Sequence, residues 1–432
     1  MAAGSPRRKS CLSSPKRALD TFSSADMSNR PERASDLPVN LYDRAYRSRI
    51  GVRWESHTYE HLDESDRPTR PSHSFSFDNL SIRGSPCAAL LHESVRACLP
   101  PKFLRAPKPS QLSFQFLRCK DPRKGWGMFS RRYLPMGGLI DVETPAVIAP
   151  LDITSLGMSS SRMHSTLFHL LTPKALRSVT ELSNPNATRG SAAYEDIMRA
   201  NALIVHLKAN DKKLQAHHAL FLNTSRCNHR YVYMIFSLHH FLTSCYSCSP
   251  NAAWSWNKDT FSLSLVAVRP ISIGEEITIS YVDATLSRRQ RQERLAKLYH
   301  FHCQCEACTY KWTHASDRNR AELHDFWNKT CSFEDWCMNR KLPDDELIQI
   351  HERALDLRDQ EGLQQLDYQK HVDAIVLCYG ALSDWHMFQE WIAHAMACRA
   401  DSDVDHVLVM ELWHEQPTRF PVWGWRPDET YA

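Results

Sequence analysis

Apolar and polar residues follow two different spacings along the chain, and the change of spacing divides it into regions. Between Phe114 and Tyr281, short apolar runs such as ITISY are separated by turn residues, which predicts β-strands. Beyond residue 313 the spacing becomes helical, as in DDELIQIHERALDLRDQEGL, whose apolar residues fall on one helix face. Residues 1–76 show neither spacing and are rich in Ser, Pro and Arg, which predicts a disordered arm.

Further segments complete the predicted organisation. The stretch PCAALLHESVRACLP is apolar without strict alternation and indicates a short helix. The longer stretch SRMHSTLFHLLTPKALRSVTELSNPNATRGSAAYEDIMRANALIV indicates helices broken by a Ser/Asn/Pro loop. We therefore expect a disordered arm at 1–76 and a helical lead-in at 77–113. A β-rich domain would follow at 114–284, with a helical insert at about 151–215. A cysteine-bearing segment at 285–312 and a helical C-terminal region at 313–432 would complete the chain.

A glycine pair opens the β-rich domain. In KGWGMFSRRYLPMGGLIDVETPAVI, Gly125 and Gly127 flank Trp126, and a Pro-Met-Gly-Gly turn separates two strand-like runs. The pattern predicts a β-hairpin entered through a glycine turn. Glycine allows a backbone to approach a ligand closely because it has no Cβ, although most such pairs are only turns.

Composition restricts the class of protein and its location. With 42% hydrophobic and 24% charged residues, the chain reads as soluble and mostly globular, and no apolar run is long enough to cross a bilayer. The N-terminus lacks the apolar segment of a secretory signal, so a nuclear and/or cytoplasmic location is expected. A net charge of +4 does not indicate a nucleic-acid site. A basic cluster in the arm is either a nuclear-import signal or a solvated tail: Arg7, Arg8, Lys9, Lys16 and Arg17.

Three cysteines form a metal-binding pattern near residue 305. Cys303, Cys305 and Cys308 have the spacing C-x-C-x-x-C, and thiols in a reducing compartment are poor disulfide candidates. Tetrahedral Zn²⁺ takes about four thiolate or imidazole ligands. The pattern predicts a zinc site that lacks one ligand in this segment.

Four motifs in a fixed order resemble a known family. They are KGWG, the pair of fragments RCNH and SCSPN, GEEITISY and YHFHCQCEAC, and together they resemble the SET-domain protein-lysine methyltransferases with a post-SET zinc cluster. The resemblance covers about Phe114 to Thr309. No cysteine lies between Cys119 and Cys227, so the MYND zinc module of some relatives is absent, as in fungal members.

The resemblance implies a fold, a reaction and a partner. The fold would be mostly β, with small curved sheets, a pseudoknot through the Asn-His segment, a helical insert and a helical C-terminal region. The reaction would be S-adenosylmethionine-dependent methylation of a lysine in a protein substrate, a histone being one candidate. The alternative is a catalytically inactive SET-like binding or scaffold protein. The C-terminal helices would cap the SET domain or form a protein-binding surface.

The resemblance also implies site residues. Tyr281 would place its hydroxyl at the transferred methyl group. Cys248 would be the fourth zinc ligand beside Cys303, Cys305 and Cys308. The cofactor would be held by seven residues: Lys124, Gly125, Trp126, Gly127, Arg226, Asn228 and His229.

One segment interrupts the family motif. Residues 230–246, which contain the apolar stretch YVYMIFSLHHFL, separate Asn228-His229 from Ser247-Cys248, whereas the family reads these halves as one unit. We interpret the segment as translated intron sequence. Codons for Arg230 to Val232 can spell a splice donor, those for Leu242-Thr243 a branch site and those for Tyr246-Ser247 an acceptor, and their removal keeps the reading frame. The joined sequence would read SRCNHSCSPNA.

Overall fold

A computed structural model describes residues 74–119, 125–153, 156, 158–184, 191–210, 214–229, 248–299, 301–309, 313–364, 367–399 and 404–426. All of them belong to one compact unit, Pro38–Ala432. The basic cluster of the arm, Lys124 and the interrupting segment 230–246 lie outside the described residues.

Twelve strands in the described residues form three sheets. The strands are β1 (Phe75–Ile82), β2 (Ser85–His92), β3 (Phe114–Arg118), β4 (Trp126–Ser130), β5 (Leu139–Glu143), β6 (Val147–Pro150), β7 (Leu203–Lys208), β8 (Leu214–Leu220), β9 (Asn228–His229), β10 (Ala252–Asn257), β11 (Ser262–Ala267) and β12 (Glu276–Ile279). The sheet orders are β1-β2-β6-β8-β7, β10-β11-β5 and β3-β4-β12-β9.

Apart from one helical turn after β2, the helices occupy the insert and the C-terminal part of the described chain. They are α1 (Glu93–Arg96), α2 (Ser160–His169), α3 (Pro173–Thr180), α4 (Ser191–Asn201), α5 (Arg288–Tyr299), α6 (Glu306–Thr309), α7 (Thr313–Lys329), α8 (Phe333–Met338), α9 (Glu346–Glu361), α10 (Tyr368–Ala381), α11 (Trp385–Arg399) and α12 (Val404–Glu415). Among the described residues, no helix is both long and apolar enough to span a membrane. The predicted strand-rich region with a helical insert and a helical C-terminal region is confirmed.

The helical lead-in at 77–113 is wrong. The hairpin β1–β2 fills its first part and begins at Phe75, inside the predicted arm, and only the single turn α1 is helical. Both faces of β2 are buried: Ala89 and Leu91 face one core, while Ala88 and Leu90 face another. Because no polar face alternates with the apolar one, the strand spacing is invisible in the sequence.

The predicted hairpin at 124–148 is also wrong. β4 pairs with β3 and β12, whereas β5 pairs with β11 in a different sheet. The Pro-Met-Gly-Gly turn therefore connects two sheets, and Gly137 occupies it with φ +78°. Strand spacing does not reveal whether a strand's partner is near or distant in sequence. The helical insert ends at Asn201, and β7 and β8 follow it, so the predicted end at about 215 is too late.

The C-terminal helices pack against the end of the SET region. Ala284 shares one buried cluster with Leu323 and Phe326 of α7 and with Leu357 of α9. Arg320, fully buried on α7, donates to the Ala284 carbonyl and to the Glu361 carboxylate at 3.0 Å. These contacts support the capping interpretation of the C-terminal region.

Candidate functional site

The four-stranded sheet brings three distant motifs together. β12 pairs antiparallel with β4, placing Ile277 opposite Met128. On its other edge β12 pairs in parallel with β9, so that Thr278 lies opposite Asn228. The glycine motif, the Asn-His motif and the GEEITISY strand therefore lie side by side, as the resemblance implies.

Two glycines of the first motif are required for different reasons. Gly125 has φ +67°, a left-handed conformation that glycine adopts without strain. At Gly127, an added Cβ would lie 2.9 Å from Asn228 Nδ2, from Cys119 Sγ and from Glu276 Oε1. The absence of a side chain at Gly127 thus leaves room for a cluster of polar groups from three other segments.

The Asn228 amide is the centre of that cluster. Its Nδ2 donates to the Trp126 carbonyl at 3.2 Å and to Glu276 Oε1 at 2.9 Å, and it lies 3.3 Å from Cys119 Sγ. The Trp126 side chain is about half exposed, and the Arg118 guanidinium lies 5.6 Å from the ring centroid. Neither Cys119 nor Glu276 was singled out in the sequence, because neither has a chemical signature outside this arrangement.

Tyr281 lies at the junction of two buried cores. Its hydroxyl donates to the Cys227 carbonyl at 2.9 Å, one residue from Asn228. The ring packs against the SET core and against the cysteine cluster. Tyr299 lies beside it with ring centroids 4.7 Å apart, and burial raises the pKa of Tyr299 to about 12. Tyr299 is therefore a neutral second aromatic wall that sequence reasoning missed.

Two predicted cofactor residues are placed differently from Asn228. Arg226 donates to the Ser178 carbonyl at 3.2 Å and pairs with Glu181 at 3.3 Å, both in or next to α3 of the insert. Its guanidinium also lies 5.5 Å from the Phe116 ring centroid. In the structure, Arg226 therefore connects the segment before Asn228 to the helical insert. Its contact with a cofactor stays a prediction. His229 is described by its backbone pairing with Ile279.

The structure brings the four predicted metal ligands together. Cys248, Cys303, Cys305 and Cys308 are buried, and their sulfur atoms all lie within 4.8 Å of one another. Sulfurs bound tetrahedrally to one Zn²⁺ would be about 3.8 Å apart, given Zn–S bonds of about 2.3 Å. The Cys248 sulfur is 3.5 Å from that of Cys308 and 3.9 Å from that of Cys303. The donor set therefore fits a structural zinc ion.

Buried polar groups support the cluster from outside. Gln292 on α5 accepts from the Cys303 backbone N–H at 2.9 Å and also donates to the Cys303 carbonyl. Arg291, fully buried, donates to Cys308 Sγ at 3.7 Å, and Arg320 donates to the Cys248 carbonyl at 3.2 Å. Four thiolates with one Zn²⁺ would carry a net negative charge, which these buried guanidinium groups would offset.

Asn251 supplies a second anchor for β12. The fully buried amide donates to the Glu275 carboxylate and to the Glu276 carbonyl, and it accepts from the Thr278 backbone N–H at 2.8 Å and from the Thr278 hydroxyl. All four hydrogen-bonding positions of the amide are thus used. Asn251 is part of the SCSPN motif, but only the structure shows that it connects the segment of Cys248 to β12.

A half-buried carboxyl group positions the turn that leads to Asn228. Glu143 accepts from the backbone N–H of Asn223 at 3.0 Å and of Thr224 at 2.6 Å. Burial, and next the nearby Asp141, raise the pKa of Glu143 to about 7, although the two hydrogen bonds oppose the shift. The carboxyl group therefore titrates near neutral pH while holding this turn.

Comparison with known proteins agrees with the geometry. A sequence profile of the SET domain matches residues 125–282. The histone-lysine N-methyltransferase set5 of Schizosaccharomyces pombe is 24% identical over 308 residues, covering 68% of this chain and 82% of that protein. The protein-lysine N-trimethyltransferase SMYD5 of Mus musculus is 42% identical over 72 residues, only 16% of this chain and 17% of that protein.

Among solved structures, the SET domain of LSMT bound to lysine and AdoHcy matches with a TM-score of 0.27 and 10% identity, over 73% of this chain and 86% of that one. The profile match covers Gly127, Asn228 and Tyr281. The chain therefore carries a SET domain, and its sequence is similar to those of SET-domain protein-lysine methyltransferases.

Proposed function

We propose that the protein uses S-adenosylmethionine to methylate a lysine side chain of a protein substrate, with histones as the first substrates to test. The observation that carries the proposal is the convergence of Gly127, Asn228 and Tyr281 on neighbouring backbone segments. The fission yeast relative is named as a histone-lysine N-methyltransferase, which supports the choice of histones.

The cofactor would supply an activated methyl group, and the residues of this chain would hold and orient the reactants. Asn228 and the backbone near Gly127 would bind it. The Tyr281 phenol, oriented by the Cys227 carbonyl, would lie at the inner end of the lysine channel beside Tyr299. Two aromatic walls would desolvate the substrate amine and favour its neutral, nucleophilic form. Alignment of that amine would provide most of the rate enhancement.

We propose Zn²⁺ for the four-cysteine cluster. Its burial and its sulfur distances suit an ion that holds structure, because four protein ligands leave no open position for chemistry. Cys248 and Val282 belong to the same buried cluster as the other three cysteines. Metal binding would therefore also fix the segment next to Tyr281.

We further propose that the active form lacks residues 230–246. His229 pairs with Ile279 of β12, Asn251 bonds Thr278 of the same strand, and Cys248 packs with Val282 just beyond it. Both flanks of the segment thus reach the same stretch of backbone. The described ends of the two flanks, His229 and Cys248, both lie next to residues 279–282, which favours a direct link between the flanks once the segment is removed.

Two forms of the protein test the proposal. The 432-residue chain and a variant with residues 230–246 deleted would be incubated with methyl-labelled S-adenosylmethionine and with core histones or a cell extract. We expect label on lysine with the deleted form and little with the full chain. Equal cofactor affinity of the two forms would contradict the intron hypothesis. Cofactor binding without transfer to any protein would favour the alternative, an inactive SET-like binding protein.

A nuclear and/or cytoplasmic location is proposed from the basic cluster of the arm. A fluorescent fusion with and without residues 1–73 tests it, since loss of nuclear signal on truncation would identify an import signal. Unchanged distribution would leave the arm as a solvated tail.

A further inference from the structure

Hydrogen-bond acceptors lie on one side of the Asn228 side-chain amide, around its nitrogen Nδ2. Its Nδ2 faces the Trp126 carbonyl and the Glu276 carboxylate, which is the shortest of its contacts at 2.9 Å. Cys119 Sγ completes the group, 3.3 Å from Nδ2 and 3.5 Å from Glu276 Oε1. Within the described residues, Asn228 Oδ1 has no hydrogen-bond partner.

This arrangement decides which end of the amide points outward. A backbone carbonyl and an ionised carboxylate can only accept hydrogen bonds, so the group that faces both must be the NH₂ end. The flipped amide would set Oδ1 against two acceptors at hydrogen-bonding distance, which electrostatics opposes. The backbone of Asn228 is held by pairing with Thr278, so the side chain cannot escape by moving its Cα.

Gly127 belongs to the same construction. An added Cβ would come within 2.9 Å of all three groups, namely the Asn228 amide nitrogen, the Cys119 sulfur and the Glu276 oxygen. The glycine therefore leaves space for a polar network of the protein itself. This role is separate from the close ligand approach expected from the sequence.

We propose that Glu276 is a positioning residue that locks the Asn228 amide with Oδ1 facing the cofactor cleft. Asn228 would then accept a hydrogen bond from a donor on the cofactor, either the ammonium group of its amino-acid part or the amine of its adenine. This inference rests on the proposed function and adds a residue that acts on the cofactor through Asn228. Cys119 would contribute by filling the remaining side of the network.

Calorimetric titration with S-adenosylhomocysteine tests the proposal in the full chain and in the form without residues 230–246. Glu276→Leu removes the acceptor with little change of volume and should weaken binding about tenfold, the usual effect of losing one hydrogen bond to a charged group. Glu276→Gln can still present an oxygen to Asn228 and should recover most of the affinity. Thermal unfolding and metal content, measured on each variant, should differ little from the parent protein.

A double-mutant cycle separates positioning from general damage. If Glu276 acts through Asn228, then Glu276→Leu should have almost no further effect on affinity in an Asn228→Ala background. Unchanged affinity in Glu276→Leu, failure of Glu276→Gln to recover affinity, or full additivity with Asn228→Ala would each overturn the inference while the proposed function stands. Absence of cofactor binding in both parent forms would overturn the proposed function and this inference with it.

Discussion

The cysteine cluster and the Asn228 network are built in opposite ways, although Tyr281 packs close to both. The cluster is closed: its four sulfurs are buried, and buried arginines and a glutamine surround it. The network is open: Asn228 is half-buried, its Nδ2 is bound and its Oδ1 has no partner among the described residues. A closed set of ligands suits a permanent ion, whereas an open acceptor suits a molecule that must leave after each turnover.

The largest expected effect is loss of the metal. Cys248→Ser removes one of four ligands, so purified protein should contain well under one zinc per chain, and chelation of the parent should lower cofactor affinity by disturbing the segment next to Tyr281. Elemental analysis and calorimetry measure both. Cys98→Ser, outside the cluster, is the matched control. Full zinc occupancy in the Cys248→Ser protein would show that another residue completes the site.

A smaller effect is expected when the support of the cluster is cut. Arg320→Met removes the buried guanidinium that binds the Glu361 carboxylate and the Cys248 carbonyl. Because the carboxylate then stays buried without this partner, the free energy of unfolding should fall by about 3–5 kcal/mol. Denaturant unfolding measures it. Arg353→Met breaks an exposed pair with Glu322 and should cost less than about 1 kcal/mol. Equal losses in the two variants would mean that the C-terminal helices do not support the cluster.

Tyr281→Phe probes the boundary between the two regions. The hydroxyl donates to the Cys227 carbonyl beside Asn228, so turnover of the form without residues 230–246 should fall about a hundredfold, as when one donor is removed from an active site. Cofactor affinity should hardly change. Steady-state kinetics with calorimetry on the same protein checks this, and Tyr299→Phe serves as the comparison. Turnover equal to that of the parent on a verified substrate would remove Tyr281 from the reacting centre.

The smallest effect concerns pH and Glu143. The pKa of Glu143 in the folded protein is about 7, above the ordinary 4.5, so the folded state binds this proton more tightly than the unfolded state does. The contribution of this proton to the free energy of unfolding is therefore present below about pH 4.5 and is lost as the pH rises to about 7. Because the side chain is half-buried, we expect about 1–2 kcal/mol across that window. Denaturant unfolding at several pH values should show this fall in the free energy of unfolding in the parent protein and not in Glu143→Gln. The exposed Glu293→Gln should keep it.

The site residues were more accessible to sequence reasoning than the strand partners. Cys303, Cys305 and Cys308 lie close in sequence, and thiol chemistry makes their spacing informative. By contrast β2 was predicted as helical because two cores bury both of its faces. The strand β4 was paired with β5, whereas it pairs with the preceding strand β3 and with the distant β12. Burial on two sides and pairing over long separations leave no local pattern.

The sequence by itself therefore determined the order of the motifs, the ligand types and the division into a β-rich domain and a helical region. The tertiary structure alone decided that Glu276 and Cys119 meet the Asn228 amide beneath Gly127, and that Arg320 joins the C-terminal helices to Cys248. The reason is physical. Ligand chemistry and helical spacing are properties of neighbouring residues, whereas a hydrogen bond between residues far apart in sequence exists only after the chain has folded.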